Sequence, residues 1–328
     1  MASVDQAAVS AANRLAPAIG DAIAQEMRED ERVLVWGEDI RTGVMSTTQG
    51  LVHEFGPERI IDTPISEAAF LGAALGAATN GLRPVVEIMY SSFTYVAFDQ
   101  LVNQIGRARY MTNGQVTAPL TLLAATGACG FAAQHSEASY SLFMNAGGLR
   151  IVFPSTANQA FWLTRASLRS DDPSIILYQP VLAGARGEVG PEPMQLGDVE
   201  VTSHGSDVSV FAIGLMAVRA RKVAKRLAEE GIGVEVVDVC SLSPFPAEAI
   251  VESVARTGRA VVVDEARQTC SAASEIAATV AEAAFDSLRA PIQRVAVANV
   301  PIPYAPVLES SVIPDEADIE AAIRKVLA

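Results

Sequence analysis

The strongest constraint on this chain is a regular alternation of strand-like and helix-like runs. Short apolar runs, such as VVEIM at 85–89, alternate with runs whose apolar residues recur every three to four positions. That order predicts largely parallel sheets with helices packed on both faces. The expected fold class is therefore α/β.

The same periods predict individual elements. In the first half, helices are expected at 15–27, from Glu67 onward, 95–109 and 158–168, with strands at 33–36, 85–89, 120–125, 149–153 and 175–178. In the second half, strands at 208–213, 234–239, 260–264 and near Val295 alternate with helices at 217–230, 247–257, 272–285 and 317–326. A proline-rich turn, PIPYAP, precedes the last helix.

Length and a change in composition predict two domains. A chain of 328 residues, half of them hydrophobic, is long enough for two cores. From 180 to 206 the sequence becomes rich in Gly, Pro and charge and has no sustained period. We predict domains at 1–185 and 207–328, joined by a linker at 186–206 with a short strand at 199–202.

Charge and composition exclude several classes of partner. The net charge of −14 comes without a long basic cluster, so nucleic acid is not expected as a partner. No apolar run reaches the roughly 18 residues needed to span a membrane, and the first residues lack the features of a signal peptide. We therefore predict a cytoplasmic protein. The three cysteines and three histidines lack metal-ligand spacing, so no metal site is predicted in this chain.

The stretch DTPISEAAFLGAALG at 62–76 places one acid, Glu67, at the start of an apolar helix. The spacing of Phe70, Leu71, Ala74 and Leu75 predicts a buried helix, and Ser66 is positioned to cap it. An acid in the first turn suits the positive end of the helix dipole. The spacing alone leaves two interpretations open: an ordinary helix-start acid, or a carboxylate with a chemical role.

Several ordered motifs resemble one family along nearly the whole chain. They are GEDI (37–40), FGPERIIDTPISE (55–67), GLRPVVEIMYSSF (81–93), FDQLVNQIGRARY (98–110), AQHS (133–136), LRIVFPST (149–156), the stretch ending in VVVDEA (242–266) and VPIPYAPVLE (300–309). The chain resembles the β subunit of thiamine-diphosphate-dependent 2-oxo acid dehydrogenases, in the transketolase-like superfamily. The resemblance implies two doubly wound domains, a pyrimidine-binding domain and a C-terminal transketolase-type domain, in a heterotetramer of two α and two β chains.

The resemblance gives roles to four residues. Glu67 matches the glutamate that hydrogen-bonds the far ring nitrogen of the cofactor's aminopyrimidine, and Phe93 matches the aromatic residue that packs on that ring. Glu38 matches an acid in the tunnel between two active sites, and His135 matches a histidine that faces the substrate and can move a proton. Alternatives stay open: Phe93 as a core residue, Glu38 as a solvated or capping acid, and His135 as a structural histidine.

One required motif does not occur in this chain. The diphosphate end of the cofactor and its Mg²⁺ need a GDG motif followed by Asn, and no GDG occurs. In the family the α subunit supplies that motif. The resemblance therefore implies that thiamine diphosphate is shared with an α partner, that Mg²⁺ is bound mainly by that partner, and that this chain is inactive alone.

Two stretches depart from the family pattern. After AQHS the family continues with Gln, an aromatic-rich helix and a PGL turn, whereas Glu137, Tyr140 and Gly147–Gly148 occupy this stretch here. The glycine-rich stretch after VVVDEA is replaced by RQTCSAAS at 267–274. The first departure indicates a rebuilt substrate side.

Three functions are considered. The main hypothesis is an oxidoreductase β subunit that cleaves a 2-oxo acid or acetoin and passes the acyl unit to a lipoyl group on an acyltransferase. The alternative is a split transketolase-like enzyme that moves a two-carbon ketol unit from a ketose to a carrier protein in a biosynthetic pathway, although the DGPTH-type sequence of true transketolases is absent. A third, a scaffold without activity, fits poorly with the joint presence of Glu67, Phe93 and His135. Charge alone suggests Glu309 or Asp315 as contacts for a basic docking domain, and the alternative is that both are solvated surface acids.

Overall fold

The structure, a computed structural model, describes residues 14–328, and the chain divides into two compact units. The first contains the residues up to Thr126 together with Leu142–Leu196. The second contains Gly127–Ser141 together with Gly197–Ala328. Each unit is an α/β structure, which confirms the predicted fold class. The domain limits of 185 and 207 stay a prediction.

The first unit is built from parallel strands and their connecting helices. Its elements are α1 (Leu15–Glu29), β1 (Val33–Gly37), α2 (Leu51–Phe55), β2 (Ile60–Asp62), α3 (Glu67–Thr79), β3 (Arg83–Tyr90), α4 (Ala108–Met111), β4 (Thr121–Ala125), α5 (Ser141–Ala146, of which Ser141 belongs to the second unit), β5 (Arg150–Val152), α6 (Ala157–Arg169) and β6 (Ser174–Tyr178). A 3-10 turn covers Pro180–Leu182. These bounds confirm the strands and most of the helices expected from the sequence.

Six strands of this unit run in the order β5-β6-β4-β3-β1-β2, and each neighbouring pair is parallel. Every residue of β4 and β6 is buried. This burial is typical of a parallel sheet covered on both faces, and it explains why the strands read as continuous apolar runs. The arrangement places the carboxyl ends of β2, β1 and β3 side by side at one edge of the sheet.

The second unit contains a mixed sheet. Its elements are β7 (Glu200–Ser203), β8 (Val208–Ala212), α7 (Leu215–Ala228), β9 (Val234–Asp238), β10 (Ser241–Ser243), α8 (Ala247–Thr257), β11 (Ala260–Arg267), α9 (Ala272–Ala283), β12 (Gln293–Val297), α10 (Pro306–Val312) and α11 (Glu316–Leu327). The sheet order is β12-β11-β8-β9-β7, parallel except for the antiparallel edge strand β7. Buried aliphatic side chains of β8, β9, α7 and α11 form a core of this unit.

The expected helix at 95–109 is wrong as a single α-helix. The chain instead forms a 3-10 turn at Ser91–Ala97, a π turn at Gln100–Ile105 and the short α4. The Thr94 hydroxyl donates to the carbonyl of Ser91, and such local side-chain bonds compete with regular α-helical geometry. The short elements α2, β2, α5, β10 and α10 were also not predicted from the sequence.

No helix among residues 14–328 is long and apolar enough to cross a membrane. The cytoplasmic location stays a prediction.

Candidate active site

Three of the four predicted site residues follow adjacent strands of the first sheet. Glu38 comes directly after β1, Phe93 lies in the turn after β3, and Glu67 opens the helix that follows β2. Because β2, β1 and β3 are parallel neighbours, these residues share the carboxyl edge of the sheet. Ligands of open α/β sheets bind at that edge. We refer to Glu38, Glu67 and Phe93 as the carboxyl-edge group.

Glu38 is held close to the backbone of β3. The Gly37 before it needs to lack a side chain, because a Cβ there would lie 2.3 Å from the carbonyl oxygen of Glu87. Glu38 is half-buried, and its Oε1 is shielded from solvent without a hydrogen-bond partner among the described residues. Burial raises the pKa of Glu38, and the charges of Glu67 and Asp39 raise it further. Glu38 is therefore not a freely solvated acid.

Glu67 is the first residue of α3 and is half-buried. Its negative charge is one cause of the raised pKa of Glu38, after burial, so the two acids interact at the carboxyl edge of the sheet. Ser66 stands at the N-cap, but its side chain makes no capping hydrogen bond, so the expected cap is wrong.

The helix α3 is buried on one side only within this chain. Its buried side consists of Phe70, Leu71, Ala74 and Ala78. The opposite side is exposed and consists mainly of small residues: Ala69, Gly72, Ala73, Gly76 and Thr79. The expectation of a buried helix is therefore wrong for one side of α3. The described part of the chain does not cover the side that carries the small residues.

Phe93 lies in the 3-10 turn that follows β3. Its side chain is half-buried, so it is not a fully buried core residue. The ring of Tyr90 meets it edge-on, with centroids 5.6 Å apart and planes inclined by 67°. An edge-on aromatic neighbour holds a ring in place while leaving a face for stacking.

A buried acid, Glu87, was missed by the sequence reading. It lies in the middle of β3, where Thr47 and Tyr178 both donate hydrogen bonds to its Oε1. Burial raises the pKa of Glu87, while the two hydrogen bonds lower it. Thr47 belongs to the connection between Glu38 and α2, so Glu87 anchors that connection to β3. The signal was present as a lone acid inside the apolar run VVEIM.

His135 lies in the loop Gly127–Ser141, which belongs to the second unit. Its Nδ1 is 2.9 Å from the carbonyl oxygen of Phe131. A carbonyl oxygen only accepts, so Nδ1 carries the hydrogen and, in the neutral ring, Nε2 is the nitrogen that can take a proton. The other two histidines, His53 and His204, are exposed, as expected.

The loop that carries His135 is tied to β11 by three interactions. Glu265 accepts from the backbone N–H of Ala128, Asp264 accepts from the Tyr140 hydroxyl, and Arg267 pairs with Glu137. These contacts involve both stretches that depart from the family pattern: Glu137 and Tyr140 belong to one, and Arg267 belongs to the other. The two departures therefore meet within one structural feature.

The buried pair of Tyr140 and Asp264 has a defined donor. Burial and the negative charge of Asp264 raise the pKa of Tyr140 well above its usual value. Burial also raises the pKa of Asp264, while hydrogen bonds from Tyr140 and from the N–H groups of Ala266 and Ala273 lower it. Tyr140 therefore keeps its hydrogen and donates it to the carboxyl group.

The carboxyl-edge group suits an aminopyrimidine ring. It offers an acid for a ring nitrogen, an aromatic side chain for the ring face and a second acid whose Oε1 lacks a hydrogen-bond partner among the described residues. These side chains fit the pyrimidine end of thiamine diphosphate, the cofactor that the family resemblance implies, and the roles of the individual residues stay predictions. Among residues 14–328, no group of three or more His, Cys, Asp or Glu side chains is arranged to hold a metal ion.

Known proteins resemble this chain along almost its whole length. Residues 13–182 match the family "Transketolase, pyrimidine binding domain", and residues 197–319 match "Transketolase, C-terminal domain". Acetoin:2,6-dichlorophenolindophenol oxidoreductase subunit beta of Cupriavidus necator is 42% identical, over 94% of this chain and 96% of the relative. Pyruvate dehydrogenase E1 component subunit beta of Rickettsia conorii is 37% identical over the same shares. A solved split-gene transketolase, described as an inactive β4 tetramer, has a TM-score of 0.79 at 25% identity and covers 94% of this chain and 96% of its own.

Proposed function

The chain belongs to the transketolase-type family that includes the β subunits of acetoin and pyruvate dehydrogenases, and from this membership we propose that it is the β subunit of a thiamine-diphosphate-dependent oxidoreductase. The donor is acetoin or a 2-oxo acid. The observation that carries the proposal is the carboxyl-edge group itself, with Glu67, Glu38 and Phe93 after three adjacent parallel strands. The match to two such β subunits over 94% of the chain supports it.

In this proposal the chain binds and orients the pyrimidine end of the cofactor. When bound, thiamine diphosphate supplies the nucleophilic carbon that attacks the donor's carbonyl group. Glu67 would hydrogen-bond the far nitrogen of the aminopyrimidine, and Glu38, whose pKa is raised by burial and by the charge of Glu67, would lie beside it at the same edge of the sheet. Phe93 packs against the ring and leaves its polar edge accessible. His135, through Nε2, stabilises the donor-derived oxygen or moves a proton as the acyl unit leaves.

The chain also requires an α partner in this proposal. The sequence lacks GDG, so the diphosphate and Mg²⁺ are held by the other chain. The exposed small residues of α3 support this, because Gly72 and Gly76 have open space where a Cβ would stand and so allow close approach by another chain. A heterotetramer of two α and two β chains follows, with a lipoyl group on an acyltransferase or carrier protein as acceptor.

A second candidate is a split transketolase-like enzyme that moves a two-carbon ketol unit to a carrier protein. The observation that supports this candidate is the similar fold of the split-gene transketolase, with a TM-score of 0.79. Its 25% identity is well below the 42% of the acetoin oxidoreductase β subunit. The dehydrogenase is therefore the better supported of the two.

The test is donor-dependent reduction of an artificial dye by the assembled protein, co-purified with its α subunit in the presence of thiamine diphosphate and Mg²⁺. The donors are acetoin, pyruvate, branched 2-oxo acids and a ketose phosphate. Turnover with acetoin or a 2-oxo acid establishes the proposal and identifies the donor. Turnover with the ketose phosphate alone replaces it with the second candidate.

A further inference from the structure

Glu309 touches both sides of the turn that carries His135. Its Oε2 accepts a hydrogen bond from the backbone N–H of Gly130 at 3.1 Å and another from the Ser136 hydroxyl at 3.2 Å. Gly130 precedes His135 and Ser136 follows it. A single carboxylate oxygen of α10 therefore joins the two ends of the turn at 130–136 by hydrogen bonds.

That turn has a backbone that needs support. Gly130 and Ala132 both have positive φ, at 80° and 69°. Ala132 carries a Cβ, and a non-glycine residue in the left-handed region is unfavourable, so it persists only where its surroundings hold it. The N–H of Cys129 donates to the buried Ser136 Oγ at 3.3 Å, which extends the chain of hydrogen bonds to Glu309.

Charge alone suggested Glu309 as a contact for a docking partner. In the structure its carboxylate instead accepts hydrogen bonds from Gly130 and Ser136. It lies on the short helix α10, where Val307 and Leu308 are exposed while Glu309 itself is half-buried. The other acid suggested for docking, Asp315, is the N-cap of α11, where it accepts from the N–H groups of Ala317 and Asp318. Both carboxylates are used within the second unit.

We propose that Glu309 is a positioning residue for His135, an inference that rests on the function proposed above. Charge-assisted hydrogen bonds are stronger than neutral ones, so the Glu309 carboxylate fixes the turn more firmly than a neutral group. The bond from Nδ1 of His135 to the carbonyl of Phe131 lies inside the same turn. By fixing the turn, Glu309 keeps the imidazole in one orientation and one tautomer.

Two substitutions separate this role from plain packing. Glu309→Ala removes the acceptor from both donors. Glu309→Gln removes the charge but keeps an amide oxygen, and because both hydrogen bonds end on the same atom, one oxygen can accept both. Ser310→Ala is the matched control on α10, since that hydroxyl donates to the carbonyls of Pro306 and Val307 in its own helix.

Steady-state kinetics of the assembled αβ protein give the first readout. Glu309→Ala is expected to lower kcat about 10- to 100-fold, the effect of a misplaced group, while the KM for the donor changes little. Glu309→Gln should recover most of the activity, and Ser310→Ala should keep all of it. In a His135→Ala background, Glu309→Ala should cost nothing further, because its effect passes through the histidine. An equal loss with and without His135 overturns the proposal.

Hydrogen exchange of peptides covering 128–137, measured on the assembled protein without donor, gives a second readout that needs no activity. Glu309→Ala should speed exchange in this segment about tenfold, Glu309→Gln should speed it less because its neutral oxygen is a weaker acceptor, and Ser310→Ala should leave it unchanged. Unchanged exchange in Glu309→Ala overturns the proposal. If the assembly turns over none of the donors, the proposed function fails, while the exchange result still decides whether Glu309 holds the turn.

Discussion

The carboxyl-edge group and the His135 loop are held in place by different means. Glu38, Glu67 and Phe93 stand at the ends of regular elements, and the parallel register of β2, β1 and β3 fixes where those ends lie. The His135 loop has no regular element between β4 and α5, and side-chain bonds to Glu265, Asp264 and Glu309 hold it.

Because of this difference, we expect the two regions to respond differently to substitutions. A side chain at a strand end keeps its place as long as the sheet folds, so a substitution in the carboxyl-edge group should change chemistry and leave structure alone. A loop held by side chains depends on each anchor, so substitutions at the anchors should change both order and activity. The two regions should therefore respond to substitutions in separate ways.

The largest effect is expected in the carboxyl-edge group. Glu67→Gln should lower kcat about 100- to 10,000-fold, the range for loss of an acid–base group, while the αβ assembly forms normally. Turnover and size-exclusion chromatography measure the two properties. Glu58→Gln, an exposed acid in the segment before β2, is the control. Normal turnover in Glu67→Gln would remove the proposed proton role.

A smaller loss is expected at the loop. His135→Ala should lower kcat about 100-fold, with the Kd for thiamine diphosphate almost unchanged, because the role proposed for the histidine concerns the donor and not the cofactor. Calorimetric titration of the cofactor into the assembled protein gives the Kd. The exposed His53→Ala serves as control. Equal losses in turnover and cofactor affinity would indicate a structural histidine.

An anchor of the loop should affect stability. Tyr140→Phe removes the hydroxyl that donates to the buried Asp264 and leaves that acid without this donor, at a cost of about 1–3 kcal/mol in the free energy of unfolding. Urea titration followed by circular dichroism measures the cost. Tyr304→Phe, at an exposed tyrosine, is the comparison. Equal stability of the two variants would show that the Tyr140 hydroxyl does not anchor the loop.

The smallest effect concerns pH. The pKa of Glu38 is raised above 4.5 in the folded chain, so between that value and the folded pKa the folded state binds more protons than the unfolded state. The contribution of Glu38 to stability is therefore lost as pH rises through this window. Glu38→Gln should flatten the dependence of the melting temperature on pH from 4.5 upward, whereas Glu31→Gln, at an exposed acid, should not. A parallel fall in wild type and Glu38→Gln would exclude this linkage.

The same contrast explains what could be predicted from the sequence. Strands such as β4 and helices such as α8 can be predicted from the local spacing of apolar residues. The expected helix at 247–257 matches Ala247–Thr257. The residues of the carboxyl-edge group were expected from the resemblance to a family, and the fold adds that they follow the adjacent strands β1, β2 and β3. The anchors of the His135 loop could not, because Gly130 and Glu309 lie 179 positions apart and no local pattern joins them.

The short helix α10 was not predicted from the sequence either. The helix α10 begins with Pro306 at its first turn, a position that favours proline, yet the surrounding prolines led to the prediction of a turn. Without a helix in this segment, Glu309 was interpreted from its charge alone. Conversely, Glu87 gave a readable local signal as the only acid in its apolar strand, and its partners Thr47 and Tyr178 became clear only from the fold.

The central claim is that this chain supplies the pyrimidine half of a cofactor site completed by an α subunit. The most direct measurement compares thiamine-diphosphate-dependent dye reduction by this chain alone, by the α subunit alone and by their mixture, with acetoin and pyruvate as donors. We predict turnover only in the mixture. Turnover by this chain alone, or silence of the assembled mixture with both donors, would contradict the account.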